Sequence, residues 1–284
     1  MKIAIVKPDS KNLDPWIPEF RRQGIDVLVN EITSDCNFLI GSTVSQYNKI
    51  KQFYDQYPNI PMINYNWDMY EWIWKQPRNY NWEGYGELLK KSVEVWCPSN
   101  EVILRAEEFF GCGSNHRVIK TFARLFEYNS EVVDKRYIYQ PMRNYELDKN
   151  YGWLRKACSE LNIPLVESHH KLNESEFQKT IAECSFLVCD YHEASTGGLT
   201  LIEGYRLGKP VVVSNSIYQG AKDYFGNNAI YFNDNNYEHF KHVINNTWNN
   251  TPKLNVEDCI EFTNQYKLDI MVSKMIERLN ILNG

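Results

Sequence analysis

Residues 182–234, AECSFLVCDYHEASTGGLTLIEGYRLGKPVVVSNSIYQGAKDYFGNNAIYFND, decide how the chain is read. The apolar run 186–189 predicts a strand, and Gly197-Gly198 a turn, with a helix carrying Glu203 after it. Residues 210–214 form a second apolar strand, followed by another helix and a third strand near Ala229. A turn between strand and helix leaves backbone N–H groups free. It also aims the positive end of the helix dipole outward, which suits an anionic phosphate. A carboxylate one turn further along can accept hydrogen bonds from sugar hydroxyls. A lone glycine turn is common in doubly wound domains, whereas the ordered series of turn, glutamate, helix, GKPVV and second helix is a much more specific signal.

With that order of elements, the segment resembles the C-terminal donor-binding region of retaining GT-B glycosyltransferases of the family 4 type, also called glycosyl transferases group 1. The hallmark of that family is a glutamate, a glycine-containing turn, a second glutamate and a helix ending in GxPVV. Glu203 matches the second glutamate and Gly198 the turn glycine; Leu207-Gly208-Lys209-Pro210-Val211-Val212 matches the GxPVV run. For the first glutamate, the usual E-x7-E spacing falls on Ser195, and the nearest carboxylate is Glu193. The resemblance implies an α/β, GT-B fold: two Rossmann-like doubly wound parallel-sheet domains facing across a cleft. It also implies a nucleoside-diphosphate sugar as donor substrate, UDP or GDP in type, with no resident cofactor and no metal. The donor would be held by Glu203, Gly197, Gly198, Leu199, Thr200 and the Glu193/Ser195 position.

The rest of the chain alternates in the same way. Short apolar strands are predicted at 2–6, 26–29, 38–40, 62–65, 93–97 and 117–120, with polar helical stretches between most of them. Such alternation implies a parallel sheet covered on both faces. Trp96-Cys97-Pro98-Ser99-Asn100 resembles the segment that closes the first domain in the family. The sequence turns polar at 128–134, so the expected division is an acceptor-side domain over 1–133 and a donor domain over 134–265. The amphipathic tail, with Met271, Met275, Ile276, Leu279 and Leu282, is implied by resemblance to return to the first domain over 266–284.

Arg143 and Lys149 follow the first strand of the second domain, where the family places an Arg and a Lys that bind the donor diphosphate. Breaking the sugar–phosphate bond leaves added negative charge on the departing diphosphate, and a fixed pair of cations stabilises that charge as it develops. The family's glycine before the Arg is Met142 here. On the acceptor side, the family often has histidine then aspartate after the strand at 62–65. This chain has Trp67-Asp68. Asp68 fits the aspartate and is the third catalytic candidate. A retaining transfer needs no protein base if the departing phosphate takes the acceptor proton. The surrounding stretch is rich in rings, with Trp67, Trp72 and Trp74 as candidate acceptor contacts; aromatic side chains stack on sugars and bases, and equally often pack in cores.

Composition sets outer limits. With 284 residues, of which 43% are hydrophobic, the chain can bury two medium cores. A net charge of −5 gives no general attraction to nucleic acid or an anionic membrane. No signal peptide or spanning stretch is read, so a cytoplasmic protein is expected. The seven cysteines are scattered without ligand-like spacing and read as reduced, buried thiols. His169, His170 and His192 lack matching carboxylates or thiols and read as solvated rather than metal-binding. The expected function is sugar transfer to a glycan or other hydroxyl acceptor. Three alternatives stay open: a DNA-modifying glycosyltransferase of phage type, a UDP-sugar 2-epimerase, and a degenerate protein that binds nucleotide or glycan without turnover.

Overall fold

The structure is a computed structural model and describes residues 1–7, 15–66, 80–123, 125–127, 133–141, 152–167, 172–189, 198–217 and 220–284. The chain divides into two compact units, Met1–Phe122 with Leu268–Gly284, and Ala123–Lys267.

The first unit runs β1 (Lys2–Ile5), α1 (Trp16–Arg22), β2 (Asp26–Val29), β3 (Phe38–Gly41), α2 (Tyr47–Gln56), β4 (Met62–Tyr65), α3 (Trp82–Lys91), β5 (Glu94–Cys97), α4 (Asn100–Phe110) and β6 (His116–Val118). Its sheet is parallel throughout, in the order β2-β1-β3-β4-β5-β6. Successive strand residues enter opposite cores: Ile3 and Ile5 on one face, Ala4 and Val6 on the other. Burial on both faces explains why the strands read as unbroken apolar runs rather than as alternating ones.

The second unit runs β7 (Ile138–Gln140), α5 (Trp153–Leu161), β8 (Leu165–Glu167), α6 (Glu174–Glu183), β9 (Phe186–Cys189), α7 (Leu199–Arg206), β10 (Val211–Ser214), α8 (Ala221–Phe225), β11 (Ile230–Phe232), α9 (Tyr237–Asn249) and α10 (Val256–Asn264). Its five strands are also parallel, ordered β11-β10-β9-β7-β8. Tyr139, Leu187, Val211 and Val213 face one core, and Ile138, Phe186, Val188 and Val212 the other. Two doubly wound parallel α/β units follow from the sequence pattern and are found here. All seven cysteines are free and buried.

The last helix, α11 (Leu268–Leu282), belongs to the first unit, where Met271, Val272, Met275 and Leu279 enter the core shared with α1. Arg278 of this helix makes a bidentate bond to Glu94, with Nη2 2.6 Å from Oε1 and Nε 2.8 Å from Oε2. Trp96 Nε1 donates to the same carboxylate at 2.9 Å. Burial alone would raise the Glu94 carboxyl. Arg278, then Trp96 and Arg117, more than reverse this and hold it below its ordinary value of 4.5. Its contribution is therefore complete above that value and is lost only as the pH falls through the lower folded-state value.

His116 titrates in a different window. Its side chain is buried, with Nδ1 3.0 Å from Asn115 Oδ1, and burial lowers its pKa from 6.5 to about 4. Between those values the unfolded chain binds the proton and the folded chain does not, so stability falls as the pH is lowered from about 6.5 to 4. We expect His116→Gln to remove a loss on the order of 2 kcal/mol over that range. Urea titrations of both proteins at neutral pH and at pH 4.5 check this. Parallel pH profiles would contradict it.

Candidate active site

In an open parallel sheet, ligands bind outside the carboxyl ends of the strands where the strand order reverses. In the second unit, β8 lies on one side of β7 and β9 on the other, so the reversal falls between β7 and β9. β7 ends at Gln140, and the chain continues into the segment that holds Arg143 and Lys149; β9 ends at Cys189 and continues into the segment that holds Glu193, Ser195 and Gly197. The topology thus starts both candidate segments at one crevice. Those five residues themselves lie outside the described residues, as do Trp67, Asp68, Trp72 and Trp74.

The described part of the site is the start of α7. Gly198 is its N-cap, with φ 61° and ψ 73°, a left-handed conformation that glycine adopts without penalty. A Cβ there would also meet Leu201 Cδ1 at 3.0 Å. Leu201 N donates to Gly198 O at 2.7 Å and closes the first turn, which leaves the amides of Leu199 and Thr200 at the helix end. Glu203 sits one turn further in and is 3% exposed. Helical spacing puts Glu203 on the face it shares with Leu199 and Thr200, four and three residues before it.

The remainder of α7 is built to hold that carboxylate in place. At Gly204 a Cβ would lie 2.5 Å from Leu187 Cδ1 and 3.2 Å from Ile181 Cγ2, so the helix can lie this close to β9 only without a side chain. The helix closes with Gly208 N donating to Tyr205 O at 2.9 Å and Lys209 N to Gly204 O at 3.1 Å, the bond pair of a Schellman ending. The GKPVV run is therefore a helix stop followed by the core strand β10. Arg206 ties the helix to its surroundings by donating to Phe126 O at 3.0 Å and Thr263 Oγ1 at 3.1 Å.

Several polar residues at the strand ends escaped the sequence reading. Gln140 closes β7 at 1% exposure, and Ser214 closes β10, where its hydroxyl accepts from Ser216 N at 3.1 Å. In the first unit, the reversal lies between β1 and β3. There Ser42 Oγ donates to Val6 O at 2.9 Å, and Thr43 has φ 100°, which is rare for a β-branched residue. Asn66, just after β4, is buried and accepts from Tyr85 Oη at 3.5 Å, while its Nδ2 has no hydrogen-bond partner among the described residues. The signal was a polar residue ending each apolar run. Within the aromatic stretch, Tyr85 is fully buried and packs in the core of the first unit. Among the described residues, no group of three or more His, Cys, Asp or Glu side chains is placed to hold a metal ion. No described helix is long and apolar enough to cross a membrane.

A scan against models of known families finds no match for this chain. A search of curated proteins finds none either. Solved structures do match over the whole chain. Sucrose-phosphate synthase from Thermosynechococcus elongatus superposes with a TM-score of 0.75 at 10% identity, covering 99% of each chain. The lipopolysaccharide outer core galactosyltransferase WaaB, in its apo form, gives 0.73 at 11% identity over 100% of each chain. HepE of Anabaena, solved with UDP and glucose, gives 0.70 at 11% identity over 99% of each chain. At these identities the likeness establishes architecture: the protein has the fold of the GT-B glycosyltransferases, with six parallel strands in one α/β unit and five in the other.

Proposed function

We propose that this protein is a glycosyltransferase of the family 4 type, which moves a hexose from a UDP- or GDP-sugar to a hydroxyl of a glycan or other acceptor, with retention and without a metal. The observation that carries this reading is Glu203: a buried residue, one turn inside a helix that begins at a left-handed glycine and follows β9, one of the two strands that flank the strand reversal of the second sheet. In this reading, Glu203 accepts from the ribose hydroxyls, the amides of Leu199 and Thr200 face the diphosphate, and Glu193 or Ser195 meets the sugar. The bond from the anomeric carbon to the phosphate oxygen breaks, and the diphosphate leaves with the electron pair. The acceptor oxygen bonds to that carbon on the same face, and its proton passes to the departing phosphate. Arg143 and Lys149 stabilise the charge that builds there. Support also comes from HepE, which is solved with UDP-glucose. Proton NMR of the product tests the stereochemistry: the anomeric coupling of the donor is expected in the product, at an unchanged rate in EDTA, and an inverted coupling contradicts retention.

The acceptor is proposed to be a glycan rather than DNA, with Asp68, Trp67, Trp72 and Trp74 on the acceptor side. The net charge of −5 favours this, because DNA binding draws on clustered cations. In filter binding with duplex and single-stranded DNA at two salt concentrations, we expect no submicromolar affinity. Tight binding whose log affinity falls by about 0.9 per phosphate contact with log salt would reverse the assignment.

A further inference from the structure

The second unit carries a groove of about 770 Å³ at the other edge of its sheet, away from Gly198. Ser185 and Pro210, which line it, directly precede β9 and β10, and Arg136 lies two residues before β7. The groove therefore opens at the amino ends of strands whose carboxyl ends face the candidate active site. A diphosphate bound at Gly198 does not reach it.

Charge in this groove runs against the acidic balance of the whole protein. Lys179, Lys209, Lys253 and Arg136 all line it. None of the three lysine ammonium groups has an ion-pair or hydrogen-bond partner among the described residues. The acidic lining groups are mostly engaged: Asp134 Oδ1 accepts from Arg136 N at 2.7 Å and Ser185 Oγ at 2.9 Å, and Glu183 pairs with Lys135 at 3.0 Å. The carboxylates of Glu127 and Asp134, which have no cation paired with them among the described residues, stand against three unpaired ammonium groups and the Arg136 guanidinium, so the lining keeps a positive excess. Arg136 is fixed as well. Its guanidinium carbon lies 4.5 Å from the Trp248 ring centre, and its φ is 59°, a left-handed value for a residue with a side chain.

Unpaired like charges gathered around one concavity repel each other unless an anion joins them, and three point-charge donors suit the three oxygens of a phosphate better than a carboxylate. The volume is that of a small-molecule site, and Ser175 and Asn250 add neutral hydrogen-bonding groups of the kind that meet sugar hydroxyls. We propose that this groove is a second ligand site, separate from the donor site, that takes a small phosphate ester of the sugar-phosphate class.

Thermal melting with ribose 5-phosphate, inorganic phosphate and ribose tests the assignment, on the wild type and on Lys179→Gln/Lys209→Gln/Lys253→Gln. We expect about 10 mM ribose 5-phosphate to raise the wild-type melting temperature by roughly 3 °C, inorganic phosphate to raise it less, and ribose not at all. The triple variant should melt within about 2 °C of the wild type without ligand and lose the response. If it fails to fold, Lys209→Gln alone should at least halve the shift. No wild-type response, a response unchanged in the lysine variants, or an equal response to ribose would overturn the site. A shift from inorganic phosphate as large as that from the ester would overturn its assignment to an ester.

Discussion

Glu203→Ala should weaken binding of the nucleotide-sugar donor by roughly 2 to 4 kcal/mol, or about 30- to 900-fold, with the fold intact. Glu203 is 3% exposed and sits one turn inside a helix pinned by the close approach of Gly204 to β9 and by Arg206. A buried acceptor of this kind is positioned before the ligand arrives, so little ordering is left to oppose the contact. Glu203→Gln keeps the volume and isolates the charge; it should lose about half as much binding energy. Calorimetric titration with the preferred donor measures both, and an unchanged dissociation constant for Glu203→Ala would remove Glu203 from the site.

Arg143→Ala and Lys149→Ala should each lower turnover by about a hundredfold or more, with smaller changes in the donor Michaelis constant. The pattern follows from when the charge appears: the diphosphate gains negative charge only as the sugar bond breaks, so a cation aimed at it contributes more to the transition state than to donor binding. The topology starts their segment at the strand reversal, directly after β7. Steady-state kinetics decides, and normal turnover in both variants would mean that other residues carry the diphosphate.

The architecture was legible because the inner strands of both sheets are buried on both faces and so appear as short apolar runs between polar helical stretches. The runs around Ile3, Leu39, Ile63 and Val95 lie in one parallel sheet, and those around Tyr139, Leu187 and Val212 in the other. Between residues 182 and 234, the turn at Gly198 and the helix stop at Gly208 were legible because they are local features. What escaped depends on strand order. Ser42, Asn66 and Gln140 are ordinary polar residues in the sequence, and only the pairing of β1 with β3 and of β7 with β9 brings strand ends to a crevice. The cationic groove was hidden in the same way. Arg136, Lys179, Lys209 and Lys253 are far apart in sequence and meet through packing at the amino ends of the second sheet. Its charge is also invisible in a chain whose total is −5.

Whether the second unit holds a nucleoside-diphosphate sugar against Glu203 is decided by a melting-temperature panel of UDP-, GDP-, ADP- and TDP-sugars. Each would be measured on the wild type and on Glu203→Ala. A ligand that binds only the folded state raises the melting point with its occupancy. A UDP- or GDP-sugar at about a hundred times its dissociation constant is expected to raise the wild-type value by several degrees, and Glu203→Ala to remove most of the rise. A panel in which no nucleotide sugar moves the wild-type melting point, or in which one moves both proteins equally, would contradict donor binding at Glu203.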